Sequence, residues 1–154
     1  MDEVSGFLAG TAVCKGFDGQ DIRKIAEVCK TVNFKDGEVI VEEDSRGRCL
    51  YIVRHGRTRI TVGHSPGQHD CNTIAKCLPG QIFGELAFLD GARRSTWVVA
   101  VDAVEAIQIS WEDFSGLVER EPKIAYQFMY NVAVLIADRL RDTTMFCSNL
   151  LGVR

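Results

Sequence analysis

Between Phe83 and Val98 the chain sets an acid beside a glycine, then an arginine and two hydroxyls, then a β-branched run. The stretch reads Phe83-Gly84-Glu85-Leu86-Ala87-Phe88-Leu89-Asp90-Gly91-Ala92-Arg93-Arg94-Ser95-Thr96-Trp97-Val98. Backbone N–H groups freed around Gly84 can point at an anion, as they do at a helix N-terminus or in an anion nest. Arg94 supplies a forked, permanently charged donor and Ser95 a neutral one. Glu85 can only accept hydrogen bonds, which suits a hydroxyl beside the anion and not the anion itself. Together these residues could hold a small ligand that carries both a phosphate-like charge and a sugar hydroxyl. The plainer reading is a polar surface turn whose Arg and Glu are merely solvated.

The rest of the composition narrows what such a loop could serve. At 154 residues the chain fits one domain with a core of its own. Apolar residues make up 46% and charged residues 25%, both ordinary for a globular protein. A net charge of −3 leaves no basic footprint for nucleic acid. No basic-then-apolar leader and no apolar run of about 20 residues is present, so no membrane contact and a cytoplasmic location are expected. The six cysteines form no C-x-x-C pair, which excludes zinc-knuckle and thioredoxin patterns and leaves reduced thiols as the expectation. His64, His69, Cys71 and Cys77 lie close in sequence, but their spacing matches no standard metal-ligand pattern, so no metal is assigned. No nucleophile–base pair or water-activating metal is evident, so no catalytic residue and no cofactor is expected.

The elements that must position the loop are read from periodicity. Ile22, Ile25, Ala26 and Cys29 predict a helix from Asp18, its N-cap, to about Lys30. The period then shortens. Strands are predicted at Glu38–Glu42, Leu50–Val53, Thr58–Val62, Ile74–Leu78, Trp97–Val101 and Val104–Ile109. Glycine turns fall between them, with Gly63 to Asn72 as a hairpin loop. Many short, evenly spaced strands imply a closed or sandwich-like β architecture. Ser110-Trp111-Glu112-Asp113 opens a short helix to about Glu119, and Glu121-Pro122 opens a long one. Along that helix Met129, Ala133, Ile136, Leu140, Thr143, Cys147 and Leu150 recur at spacings of four and three, a heptad seam. About 28 helical residues would span roughly 42 Å, longer than one small domain, so the seam predicts a parallel homodimer.

The string Phe83 to Val98, following Leu78-Pro79-Gly80-Gln81-Ile82, resembles the phosphate-binding cassette of the cyclic nucleotide-binding domain family. Arg94-Ser95 followed by Trp97-Val98 is most similar to the bacterial catabolite activators of that family. The resemblance implies an α+β fold: an antiparallel β-roll, jelly-roll-like, flanked by an N-terminal helix and a long C-terminal dimerisation helix. On this chain it implies an N-terminal helical part over 1–33, the roll over 34–109 with the cassette at 83–98, and C-terminal helices over 110–151. Gly37, Gly56 and Gly80 fall where the family places turn glycines.

The implied ligand is cyclic AMP or cyclic GMP. Phe83, Gly84, Leu86, Ala87, Arg94, Ser95 and Thr96 would surround the cyclic phosphate, and Glu85 would accept the ribose 2′-hydroxyl. Ala137-Asp138-Arg139-Leu140-Arg141-Asp142-Thr143-Thr144 resembles the dimer helix of the catabolite activators. There a hydroxyl pair reads adenine, one hydroxyl from each subunit; Thr143 and Thr144 match that pair, and Arg139 matches an arginine that approaches the nucleotide. Otherwise Thr143 would be a polar seam residue that sets register. Arg93 and Ser95 depart from the Pro-Arg-Ala of the kinase-type members. Ser95 fits either base, and the threonine pair favours cyclic AMP.

The activators continue into a DNA-reading domain, whereas this sequence stops at Arg154. The expected role is therefore a sensor, either stand-alone with an unidentified downstream partner or the sensor half of a transcription regulator. A nucleotide-free dimerisation or scaffolding module is one alternative. A cupin-like metalloenzyme is another, but it would need strand-borne histidines.

Overall fold

The computed structural model describes residues 2–63, 65–67 and 72–153. Helix α1 (Glu3–Ala9), a single 3-10 turn (Ala12–Cys14) and helix α2 (Gly19–Ala26) come first. Strands β1 (Cys29–Phe34), β2 (Val39–Val41), β3 (Cys49–His55), β4 (Thr58–Val62), β5 (Asn72–Cys77) and β6 (Ile82–Phe83) follow. Helix α3 (Glu85–Asp90), strands β7 (Trp97–Ala100) and β8 (Val104–Ser110), and helices α4 (Trp111–Arg120) and α5 (Pro122–Leu150) complete the chain.

The strands form two four-stranded sheets with neighbour orders β1-β8-β3-β6 and β2-β7-β4-β5, every pairing antiparallel. This is the antiparallel roll that the resemblance implied. Strands β3 and β8 divide its interior in two, because successive side chains on a strand point to opposite faces. Leu50, Ile52, Ile107 and Ile109 face the helices, joining Leu8, Ile25, Phe114 and Phe128 in one apolar cluster. Tyr51, Val53, Val104 and Ala106 face the second sheet and join Val41, Phe83 and Val98 in the other. Such two-sided burial is why Leu50–Val53 reads as an unbroken apolar run.

The N-terminal region differs from the sequence expectation. Helix α2 starts where Asp18 predicts, the Asp18 carboxylate accepting from the N–H groups of Gln20 and Asp21. It ends at Ala26, however, and Cys29 opens a strand in a segment expected to be helical. Strand β1 pairs with β8 from Cys29↔Ile109 to Phe34↔Val104, so the sheet part begins at residue 29 and not at 34. Its β-branched Thr31 and Val32 suit a ladder, but the ladder's other half lies far along the chain. Helix α1 was not foreseen. It has only seven residues, too few for a clear period, and is capped by Asp2, which accepts from the Ser5 N–H at 2.8 Å.

Downstream the expected helices form. The Ser110 hydroxyl accepts from the Asp113 N–H at 3.0 Å and donates to its carboxylate at 2.7 Å, capping α4. Helix α5 has Pro122 in its first turn and runs for 29 residues, roughly 43 Å. Its first half lies on the body of the protein through Ile124, Ala125, Phe128 and Val132. Asn131 is buried there as well, donating to the carbonyls of Val13 and Lys15 at 2.9 Å each. Truncating a buried phenylalanine such as Phe128 typically costs about 3–5 kcal/mol. The heptad seam is split along the helix. Met129 and Ile136 are partly covered by the body, while Leu140 and Leu150 are 64% and 71% exposed and Thr143 and Cys147 are exposed too. His64, His69 and Cys71 lie outside the described residues; among the described residues no group of three metal-capable side chains occurs.

Candidate functional site

The cassette folds as a short helix between two left-handed glycines. Gly84, at φ 77°, is the N-cap of α3, and Gly91, at φ 69°, is its C-cap. Gly84 has a second reason to lack a side chain. A Cβ there would lie 2.7 Å from both the Arg94 guanidinium and the Cys49 carbonyl oxygen. The first intrahelical bond runs from the Phe88 N–H to the Gly84 carbonyl at 3.2 Å. The N–H groups of Glu85, Leu86 and Ala87 precede it and have no acceptor within the helix, so they stay available at the positive end of its dipole.

Arg94 lies beside this helix and is only 7% exposed. Its Nη1 donates to the carbonyls of Gly84 at 3.0 Å and Cys49 at 3.1 Å, and Nη2 also reaches Cys49 at 3.1 Å. Its backbone is held by the 44–45 loop: the Arg94 N–H donates to the Ser45 carbonyl and the Asp44 N–H to the Arg94 carbonyl. Burial pushes the guanidinium below its ordinary pKa, with nearby groups, Tyr51 first, opposing the shift. Carbonyl dipoles orient this cation without neutralising it, and among the described residues no carboxylate pairs with it. A buried cation of this kind is an incomplete site until an anion meets it.

Glu85, the first residue of α3, is 8% exposed and paired. Its Oε1 accepts from Arg139 Nη1 of α5 at 2.6 Å, and Arg139 Nη2 donates to the Ile82 carbonyl. Glu85 and Arg139 were assigned separately to the ligand; the structure joins them to each other. Only Oε1 is engaged among the described residues, which leaves Oε2 available as an acceptor.

A cleft of about 810 Å³ opens between cassette, second sheet and α5. Phe83, Gly84, Glu85, Leu86, Ala87, Arg94, Ser95 and Thr96 line one wall, and Arg139 and Thr143 line the other. Thr144 stands apart from them. It opens onto a separate shallow groove with Ala137, Leu140, Arg141 and Met145, and its hydroxyl donates to the Leu140 carbonyl at 2.8 Å. The cleft also contains residues that sequence reasoning missed: Val41, Ile60, Ile74, Ile136, Leu140 and Phe146 form an apolar lining, with Asp142 at its edge. Phe146 is 63% exposed and lies one helical turn beyond Thr143. Its only sequence signal is an aromatic three residues after a candidate contact on the same helix face. Strand β5 was read as a plain hairpin strand; it supplies Thr73, Ala75 and Cys77 to the wall. The Cys77 thiol is buried, which raises its pKa and keeps it protonated.

Chemically, the cleft combines an anion floor, a hydroxyl acceptor and an apolar wall broad enough for a flat ring. Comparisons with known proteins agree with that composition. A model of the cyclic nucleotide-binding domain matches residues 31–121. The cyclic AMP receptor protein of Thermus thermophilus is 35% identical over 112 residues, covering 73% of this chain and 49% of its own. The cAMP-dependent protein kinase regulatory subunit of Dictyostelium discoideum is 29% identical over 112 residues, covering 72% of this chain and 34% of its own. Among solved structures, the Thermus thermophilus catabolite activator protein superposes with a TM-score of 0.77 at 28% identity, over 91% of this chain and 63% of that one. The chain thus spans about half the length of the Thermus relative and about a third of the Dictyostelium one. With the family model covering more than half of its length and the roll, cassette and long helix all in place, the chain belongs to the cyclic nucleotide-binding domain family.

Proposed function

We propose that this protein is a cyclic nucleotide sensor, regulatory and not catalytic, that binds cyclic AMP in preference to cyclic GMP. The observation that carries this reading is Arg94, a buried cation aligned by carbonyls beside α3 and, among the described residues, in no ion pair with a carboxylate. The cyclic phosphate takes that place, with the Ser95 and Thr96 hydroxyls at its edge. Glu85 Oε2 accepts the ribose 2′-hydroxyl while Oε1 keeps Arg139. The purine lies along Ile74, Leu140 and Phe146 and reaches Thr143, whose hydroxyl can both donate to adenine N1 and accept from its amino group.

Nucleotide binding would engage the roll and α5 at once, so the helix is the element whose geometry changes. The change is limited to the ligand's differential affinity for the two arrangements. The exposed far half of α5 supports a homodimer, in which Thr144 would be offered to the partner's nucleotide and not to its own. Such a sensor works in the cytoplasm through a downstream effector and makes no nucleic-acid contact of its own. One observation favours the rival scaffold reading: the Glu85–Arg139 pair by itself ties the roll to α5. Calorimetric titration with both cyclic nucleotides decides between them. The sensor takes up cyclic AMP stoichiometrically, whereas absence of heat with either nucleotide would favour the scaffold.

A further inference from the structure

Arg48 touches no part of the proposed nucleotide contact set, yet its side chain joins the cassette to the helices. Its Nε donates to the Phe88 carbonyl at 2.9 Å and its Nη2 to the Leu89 carbonyl at 2.8 Å. Both carbonyls belong to the last turn of α3, where no intrahelical donor remains and a positive charge is favoured. The guanidinium also lies over the Trp111 ring, 3.9 Å from its centroid. Trp111 is the first residue of α4, and its backbone N–H returns to the Arg48 carbonyl at 2.9 Å. Phe88 meets the same indole edge-on at 5.4 Å. Gly91 borders the guanidinium, and its φ of 69° is what calls for glycine, since a Cβ there would meet Arg48 only at an ordinary contact distance of 3.5 Å.

The next residue adds the second half. The Cys49 carbonyl holds Arg94. The Arg48-Cys49 dipeptide, where the chain enters β3, therefore fixes both parts of the phosphate floor, the back end of α3 through the Arg48 side chain and the Arg94 fork through the Cys49 carbonyl. From Trp111 the contacts continue: Phe114 of α4 packs on Phe88 at 5.4 Å and on Phe128 of α5 at 5.4 Å.

We infer that Arg48 is a positioning residue that clamps the cassette helix to Trp111, so that occupancy of the phosphate site is felt at the start of α4. The inference rests on the nucleotide reading above. A fork is required, because lysine is a point charge that can neither bridge two carbonyls in plane nor stack flat on an indole.

The test uses the full chain in a Trp97→Phe background. The chain has two tryptophans, so Trp111 is then the only indole emitter. Trp97 is suited to replacement because its buried indole N–H has no partner. Cyclic AMP is titrated by calorimetry and by Trp111 emission. In the parent, emission should change as the site fills. In Arg48→Lys the affinity should fall about tenfold, the loss of one charge-assisted fork. The emission change at saturation should vanish while the melting temperature stays close to the parent's. Arg48→Lys binding as tightly as the parent, or keeping the full emission change, overturns the inference and leaves the sensor reading intact. A parent that binds neither cyclic nucleotide overturns the sensor reading and the inference with it. Should Arg48→Lys not fold, the parent decides alone: calorimetric binding with unchanged Trp111 emission overturns the clamp.

Discussion

The two guanidiniums in the cleft are held in opposite ways. Arg94 on the cassette wall is locked by three hydrogen bonds to backbone carbonyls. Arg139 on the helix wall is held by the Glu85 carboxylate, its charge already answered. Carbonyl dipoles orient a cation without cancelling it, and among the described residues no carboxylate forms an ion pair with Arg94. Arg139, partly exposed and neutralised, serves as a tether between roll and helix. On the proposed reading, one wall attracts the ligand and the other registers its arrival. The first depends on carbonyls 10 and 45 residues away in sequence, the second on a carboxylate 54 residues away.

The strongest way to break this contrast is Arg94→Ala. Removing one member of a buried charged contact costs about 2–5 kcal/mol, so affinity for cyclic AMP should drop by more than tenfold, with the fold retained. Calorimetry together with a melting curve measures both. An unchanged affinity would sink the assignment of the phosphate floor. Arg139→Met should cost less, since it removes a tether and not the anion's partner; equal losses at the two arginines would erase the distinction between the walls.

Glu85→Gln comes next in size. A hydrogen bond to a charged group is worth about 1.5–3 kcal/mol, so the wild type should bind cyclic AMP roughly tenfold or more tightly than its 2′-deoxy analogue. In Glu85→Gln that gap should shrink to a few-fold. If the wild type did not discriminate the analogue, Glu85 would be a structural partner of Arg139 and nothing more.

The smallest effect separates the two threonines. Thr143→Ala removes a cleft hydroxyl and should weaken cyclic AMP by about 1 kcal/mol, a several-fold change, at any protein concentration. Thr144→Ala should matter only where the protein is dimeric, because within one chain its hydroxyl faces the other groove. Titrations above and below the dimer dissociation constant, with sedimentation to locate it, test this. A Thr144 effect in the monomer would place its side chain in its own cleft and contradict the geometry.

Much of the fold could be read from sequence because it is set locally. The Asp18 and Ser110 caps act within three residues, and β4 runs from Thr58 to Val62 as its alternation indicates. The cassette was readable as a motif through its resemblance, but it was read as a loop, and the six-residue helix between Gly84 and Gly91 is too short to show a period. Strand β1 could not be read, since the helical period that reaches Cys29 and Lys30 is overruled at those two residues by a ladder to β8. Asn131 looked like an ordinary polar helix residue; its two carbonyl partners lie more than 100 residues away. Arg48 gave no signal for a comparable reason, and Phe146 only its place three residues after Thr143.

Sequence alone therefore determined the parts: strands, caps, a cassette rich in hydrogen-bond donors, a long helix with an apolar seam, and through them the family. Only the tertiary structure decided the partners. It joined Glu85 to Arg139, left Arg94 among carbonyls, turned Thr143 into the cleft and Thr144 away, and set Arg48 against Trp111. The physical reason is the range of the forces involved. Caps, turns and periodicity are settled by neighbours a few residues away, and residue type and spacing record them directly. A contact between distant segments exists only after the backbone has closed the intervening loop. Residue type then states what a side chain can bond, while packing chooses which group it meets.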